Sequence, residues 1–222
     1  RLDGLGQFRS MLTRSTPKYV PPSCKEVKNF KTGNSMIETE TSSLLNDSVF
    51  MKACRCEPTD YTPIWLMRQA GRYMKEYRKI REKVPFLDLC QNAQLAAEVM
   101  ITAVERIGVD AAIIFSDILL ILQPPGMDLE YVKGEGPILN NPIRTADQIR
   151  NLREVEPDES LSFVFDVVRE TRAMLQPNIP LIGFAGAPFT VASYMIEGGS
   201  SRNYENTKTL MYSEPSAWRD LM

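Results

Sequence analysis

DAAIIFSD, residues 110–117, is a short apolar run closed at both ends by aspartate. Five apolar residues without polar alternation read as a strand buried on both faces, the kind found in parallel sheets. Upstream, Asn92 stands where it can cap an amphipathic helix whose apolar face is Leu95, Val99, Ala103 and Ile107, with Gly108 as its stop. Downstream, Asp158 opens a second helical pattern with Leu161, Val164, Val168 and Leu175 on one face, followed by a second apolar run, Pro180-Leu-Ile-Gly-Phe184. Helix then buried strand, twice, is the rhythm of a parallel α/β fold.

The segments between these elements are less regular. A charged helix is expected from about Tyr73 to Glu82, and the Lys75–Lys83 run reads as its solvated face. Met127 to Arg144 carries Gly134, Gly136, Pro137 and Pro142, so a loop or small hairpin is expected there, with Met127–Lys133 read as surface. Organised sequence begins near Leu44. The first 43 residues form a basic leader, with Arg1, Arg9, Arg14, Lys18, Lys25, Lys28 and Lys31 against Asp3 and Glu26 before Met36. It reads as an organelle transit peptide or as sequence upstream of a start at Met36 or Met51.

Composition narrows the chemistry. The 222 residues are 43% hydrophobic and 24% charged with net charge −2, which is ordinary for a globular protein and gives no electrostatic reason to expect nucleic acid. No apolar run approaches the roughly 18 residues of a membrane-spanning helix. The chain has no histidine, so Ser-His and Cys-His nucleophilic systems and His-ligated zinc have no residues to use. Cys24, Cys54, Cys56 and Cys90 lack CxxC spacing and read as reduced thiols.

Four places could carry chemistry. In Pro63-Ile-Trp-Leu-Met-Arg-Gln-Ala-Gly-Arg-Tyr73, Arg68 and Arg72 stand four apart with no acidic neighbour before Glu76. On a helix they would share one face, and the pair points to an anionic partner or ligand. Asp117 ends the first buried strand beside Ser116, ahead of the stiff Gln123-Pro-Pro-Gly126 loop; it could serve a site or simply fix the loop. GFAGAPFT, residues 183–190, sets two glycines after the second strand, as either a close approach to an anion or a tight turn. Tyr194, a helical turn further on, reads as site or core, and Gly198-Gly199-Ser200-Ser201 as a polar loop with some capacity for anions.

Together, MRQAGRY at 67–73, Phe115-Ser-Asp-Ile118, Gly183-Phe-Ala-Gly-Ala-Pro188 and Ala192-Ser-Tyr-Met-Ile-Glu-Gly198 resemble the uroporphyrinogen decarboxylase family, over residues 45–222. The resemblance implies a (β/α)₈ TIM barrel, a homodimer in the cytoplasm, and no metal or organic cofactor. It implies loss of CO₂ from the four acetate side chains of uroporphyrinogen III to give coproporphyrinogen III, in haem and chlorophyll biosynthesis. Carried over by position, Arg68 and Arg72 are substrate-binding arginines, Asp117 the central aspartate and Tyr194 the active-site tyrosine, with Arg72, Asp117 and Tyr194 expected to act in catalysis. The family's serine and histidine would fall beyond Met222, so a barrel truncated at its C-terminus is expected. Two alternatives stay open: a half-barrel that is inert or only binds porphyrinogens, and a related barrel methyltransferase. A transit peptide would place the protein in a plastid.

Overall fold

A computed structural model of the chain describes residues 42–132 and 134–222. Most of the expected leader, 1–41, lies outside the described residues. The architecture is mixed α/β and divides into two compact units. The first comprises residues 42–80, 97–115 and 169–183; the second comprises 81–96, 116–168 and 184–222.

After a helical turn at 42–46, the first unit has α1 (Val49–Cys54), where the Ser48 side chain accepts from Met51 N at 3.3 Å, and α2 (Lys75–Arg81), joined by the extended and turn segment 55–74. Lys75, Arg78 and Lys79 are exposed, as a solvated helix requires, and Glu76 pairs with Arg106 at 2.7 Å. Helix α3 (Phe86–Gln91) belongs to the second unit, and α4 (Ala93–Ile107) runs from the second into the first. Asn92 caps α4 as expected, its Oδ1 accepting from Leu95 N at 3.0 Å. Gly108 ends the helix with φ +69°, and its N–H donates to Val104 O. Val99 and Ala103 of the predicted face are buried.

Strand β1 (Ala112–Ile113) lies inside the decisive run, and residues 111–115 are all buried. It pairs in parallel with β4 (Leu181–Ile182), in register Ala112 with Leu181 and Ile113 with Ile182. The second buried strand expected over Pro180–Phe184 holds in part: β4 forms, but Leu181 and Ile182 are only partly buried and Phe184 is 42% exposed. The described sheet is a pair, so β4 has a hydrogen-bonded neighbour on one side alone.

The second unit holds a 3₁₀ turn (Leu120–Leu122) and a hairpin of β2 (Leu129–Val132) and β3 (Gly136–Leu139). The antiparallel register sets Leu129 opposite Leu139 and Tyr131 opposite Pro137. Gly134 and Gly136 both take positive φ at the reversal. The reading of Met127–Lys133 as surface is corrected here. Met127 and Leu129 are buried in one cluster with Leu139, Ile143, Met195 and Ile196, and Tyr131 packs against it.

Helix α5 (Ala146–Arg150) follows, opened by a capping box between Thr145 and Gln148. The helix expected from Asp158 is two pieces, α6 (Pro157–Ser160) and α7 (Ser162–Met174), parted at Leu161. The buried positions of α7 are Val167 and Thr171, with Leu175 just beyond, while Val168 is 40% exposed. Leu161 and Val164 of the expected face are half-buried and Leu175 is buried, so the expectation fails at Val168 alone, where Val167 takes the inward position. Arg172 closes the C-terminal end of α7, donating to the carbonyls of Leu175, Gln176 and Ile179, groups the helix itself cannot satisfy.

Helix α8 (Pro188–Glu197) starts on Pro188, where the missing N–H costs nothing. It ends on Gly198 at φ +83°, where an added Cβ would lie 3.3 Å from Leu139 O. Two carbonyls at this end, Met195 O and Gly198 O, accept from Ile143 N and Leu139 N, each at 2.9 Å. The hairpin's exit is thereby tied to α8. Helices α9 (Glu205–Ser213) and α10 (Pro215–Leu221) complete the described chain.

The start of α9 is capped from a distance. Tyr204 precedes it in the left-handed region (φ +52°) and offers no side-chain cap. Glu197 does so instead, accepting from Thr207 N and Thr207 Oγ1 at 2.8 Å and from Asn206 Nδ2 at 2.9 Å. Burial raises the Glu197 pKa, but these three donors and the Arg144 charge outweigh it, and the net shift is downward. A folded pKa below the unfolded one gives stability that is complete above the ordinary glutamate range and disappears as pH falls through the lowered value. Glu197→Gln should therefore lose about 1 kcal/mol of stability at pH 7. In chemical-denaturation curves, the gap to the parent protein should close progressively on acidification below the ordinary glutamate pKa.

Candidate functional site

Asp117 follows the buried run and is itself half-buried. Its Oδ1 accepts from Leu119 N at 2.9 Å, so the carboxylate does fix the loop into the 3₁₀ turn. That bond uses one oxygen. Near it stand two groups that the sequence reading had not assigned to a site, Cys90 on α3 and Tyr131 on β2.

Cys90 is 2% exposed. Burial first, and then the Asp117 charge, push its thiol up to about 12, with Arg81 opposing. Tyr131 packs its ring against Phe86, centroids 4.6 Å apart. Its hydroxyl is buried and makes no hydrogen bond among the described residues. Asp117 lies close enough to act on it electrostatically. Burial first, then the Asp117 carboxylate, raise the Tyr131 pKa, and Cys90 and Tyr194 add smaller contributions. Both neighbours thus stay protonated and uncharged at neutral pH. Tyr194 on α8 is half-buried and packs against the same apolar cluster as Tyr131. Two of the expected residues, Asp117 and Tyr194, therefore meet around a third that was not expected. The alternation of Met127, Leu129 and Tyr131 with Asp128 and Glu130 was the available signal for it.

The Gln123–Pro124 loop lines a cavity of about 310 Å³ with Gln91, Leu120, Ser160, Leu161 and Phe163. Asp117 is not among the residues lining this cavity. The two glycines after β4 differ. A Cβ on Gly183 would meet nothing within 4 Å, whereas one on Gly186 would fall 2.5 Å from Val191 Cγ2 and 3.3 Å from Ile118 Cβ. The absence of a side chain at Gly186 permits close packing against Val191 and Ile118, and Gly183 leaves its backbone accessible.

Arg68 and Arg72 belong to the first unit. They do not share a helical face: residues 62–74 are extended chain and turns, and the helix expected from about Tyr73 starts at Lys75. Hydrogen bonds to β1 hold this segment in place of a helical ladder. Asp110 accepts from Tyr61 Oη and Ile64 N at 2.8 Å each, while Asp110 N donates to Ile64 O, also at 2.8 Å. Gln69 donates from Nε2 to Ala111 O at 2.6 Å and accepts at Oε1 from Ile113 N at 3.3 Å. Tyr73 Oη donates to Gln69 O, and Arg78 donates to the carbonyls of Arg72 and Tyr73. The outcome is a braced loop on which both arginines are exposed, with no side-chain hydrogen bond or ion pair among the described residues. Trp65, Leu66 and Met67 are exposed beside them, Met67 by 75%.

The electrostatic link between Asp117 and Cys90 is directly testable. Cys54 is exposed and should alkylate readily at pH 8, whereas Cys90 should react far more slowly. In Asp117→Asn the charge disfavouring the thiolate is gone, so Cys90 labelling, followed by mass spectrometry, should begin at lower pH than in the parent protein.

Residues 45–222 match the family model described as uroporphyrinogen decarboxylase. The chain is 54% identical over 173 residues to the uroporphyrinogen decarboxylase of Sorangium cellulosum, covering 78% of this chain and 49% of that one. It is 49% identical over 178 residues to the Carboxydothermus hydrogenoformans protein of the same name, covering 80% of this chain and 51% of the relative. With the Solibacter usitatus protein it shares 52% over 175 residues, 79% of this chain and 50% of the other. The chain thus spans about half the length of the curated relatives it matches. A match running unbroken through both units, from the braced arginine loop to the α8 tyrosine, places the chain in the uroporphyrinogen decarboxylase family.

Proposed function

We propose that the protein is a carboxy-lyase that removes CO₂ from the four acetate side chains of uroporphyrinogen III, giving coproporphyrinogen III. The observation that carries this is the pairing of opposite electrostatic provisions within one family sequence: two exposed arginines with no side-chain hydrogen bond or ion pair among the described residues, and an aspartate held at the end of a buried strand. The substrate has eight carboxylates. Planar guanidinium groups suit them, at about 1.5–3 kcal/mol for each charge-assisted hydrogen bond. An aspartate would repel those same carboxylates, so its use must lie with the donors, the pyrrole N–H groups of the macrocycle. A carboxylate can only accept, and Asp117 has one oxygen outside its bond to Leu119 N.

Decarboxylation needs somewhere for the electron pair of the breaking C–C bond to go. Protonation of the pyrrole ring next to an acetate gives a cationic ring. When the bond to the carboxylate breaks, CO₂ leaves and the electron pair flows into that ring, neutralising it. A proton delivered to the exocyclic CH₂ and loss of the ring proton then leave a methyl group. A fixed negative charge at Asp117 stabilises the cationic stage, and the uncharged state of Cys90 and Tyr131 leaves that charge unopposed from their side. In this scheme Arg68 and Arg72 serve the substrate's carboxylates, and Arg72 and Tyr194 act in catalysis with Asp117, the roles that the family resemblance assigns them. The parallel β1–β4 pair with intervening helices supports a (β/α)₈ barrel for the full fold. A cytoplasmic homodimer without metal or organic cofactor accompanies the same reading.

The test is turnover of uroporphyrinogen III, prepared by reducing the porphyrin and kept anaerobic, with products reoxidised and separated by carboxylate number. The parent protein should yield porphyrins with seven to four carboxylates. Asp117→Asn, folded by circular dichroism, should lose about 10²-fold or more in turnover. Parent-level turnover in that variant would remove Asp117 from the chemistry.

A further inference from the structure

We propose that Gln69 is the positioning residue of the arginine loop, its side-chain amide standing in for one residue of a strand beside β1. In a parallel ladder, a residue opposite position i donates its N–H to the carbonyl of i−1 and accepts at its carbonyl from the N–H of i+1. Gln69 does both around Ala112: Nε2 donates to Ala111 O and Oε1 accepts from Ile113 N. The other edge of β1 is taken by β4, where Ala112 N donates to Pro180 O and Ile114 N to Ile182 O. Backbone groups point alternately to the two edges, so Ala111 and Ile113 would otherwise face a gap. The amide fills it.

Gln69 is fully buried, whereas Arg68 on one side and Arg72 three residues on are exposed. The loop is thus nailed at its middle by a side chain that points inward, and the neighbouring side chains are turned outward by the same act. Turns at either end, Gln69 N to Leu66 O and Met74 N to Gly71 O, and the Tyr73 hydroxyl on Gln69 O carry the constraint along the loop. No other side chain of this length offers one donor and one acceptor in one plane. Leucine supplies neither, and an ionised glutamate would set a second acceptor against Ala111 O. Gln69 therefore fixes where the guanidinium groups can reach without touching the ligand itself. The proposal rests on the reading of those arginines as carboxylate anchors.

The experiment uses uroporphyrin III, the oxidised octacarboxylate, as a fluorescent binding probe, with amide hydrogen exchange and thermal melting measured on the same proteins. Gln69→Leu should bind the probe about 10-fold more weakly. It should also exchange the Ile113 amide and the amides of 64–74 faster. Val99→Ala, a buried change elsewhere in the first unit, should lower the melting temperature and leave probe affinity as in the parent. Added to an Arg68→Ala/Arg72→Ala background, Gln69→Leu should cost no further affinity, because Gln69 acts through those arginines. Parent-like affinity in Gln69→Leu overturns the proposal, as does an equal further loss in the arginine-free background. If the parent protein does not bind the probe, the octacarboxylate reading falls by itself. Exchange then decides the rest: unchanged rates over 64–74 in Gln69→Leu overturn the positioning role, and faster rates uphold it.

Discussion

A strand buried on both faces has no water to satisfy its backbone, and the organisation around residues 110–117 follows from that requirement. The polar groups of β1 are met on one edge by β4 and on the other by the Gln69 amide, with Asp110 and Ile64 exchanging bonds just before the strand begins. The loop at 62–74 owes its shape to this debt of the strand rather than to any propensity of its own. At the far end, where the run leaves the sheet, Asp117 turns the chain into the 3₁₀ segment. The bonds that satisfy the strand's backbone also hold the arginine loop and the Asp117 turn.

The electrostatics divide along the same line. On the loop, burial of an uncharged amide allows two permanent cations to be left to solvent, a cheap arrangement because neither guanidinium is desolvated. Around Asp117 the reverse applies. Its neighbours Cys90 and Tyr131 are buried and protonated, so the aspartate sits among groups that neither repel nor neutralise it. A carboxylate in such surroundings exerts more field on a bound ligand than the same carboxylate in water.

Much of this was legible in the sequence, and the failures have physical causes. Asn92 and Gly108 bound α4 because capping is local chemistry, and the apolar run 111–115 announced burial because nothing else tolerates five such residues in succession. The parallel pairing of β1 with β4 followed from the alternation of helices and strands. The i, i+4 spacing of Arg68 and Arg72 would put them on one face only in a helix, and here the segment is held instead by the Gln69 side chain on a strand over forty residues away in sequence. On α7 the expected face holds at Val164, and at Leu175 just beyond it, and only Val168 gives way to its neighbour Val167, because adjacent positions at the margin of a helical face are not separated by spacing alone. Tyr131 was assigned to the surface because charged Asp128 and Glu130 masked the period-two pattern of its own face. Glu197 gave no local signal at all, since its partners Asn206 and Thr207 lie across a loop.

The tie between the hairpin and α8 also sets where the protein can change length. Leu139 and Ile143 are committed to the α8 carbonyls, so chain added there would pull Tyr194 and its helix out of place. Gly134 and Glu135, at the opposite end of β2 and β3, are exposed and carry no such bond to another element. Evolution or an engineer can lengthen the hairpin at that tip, inserting a tag or a reporter peptide between those two residues, with the aspartate–tyrosine neighbourhood left intact.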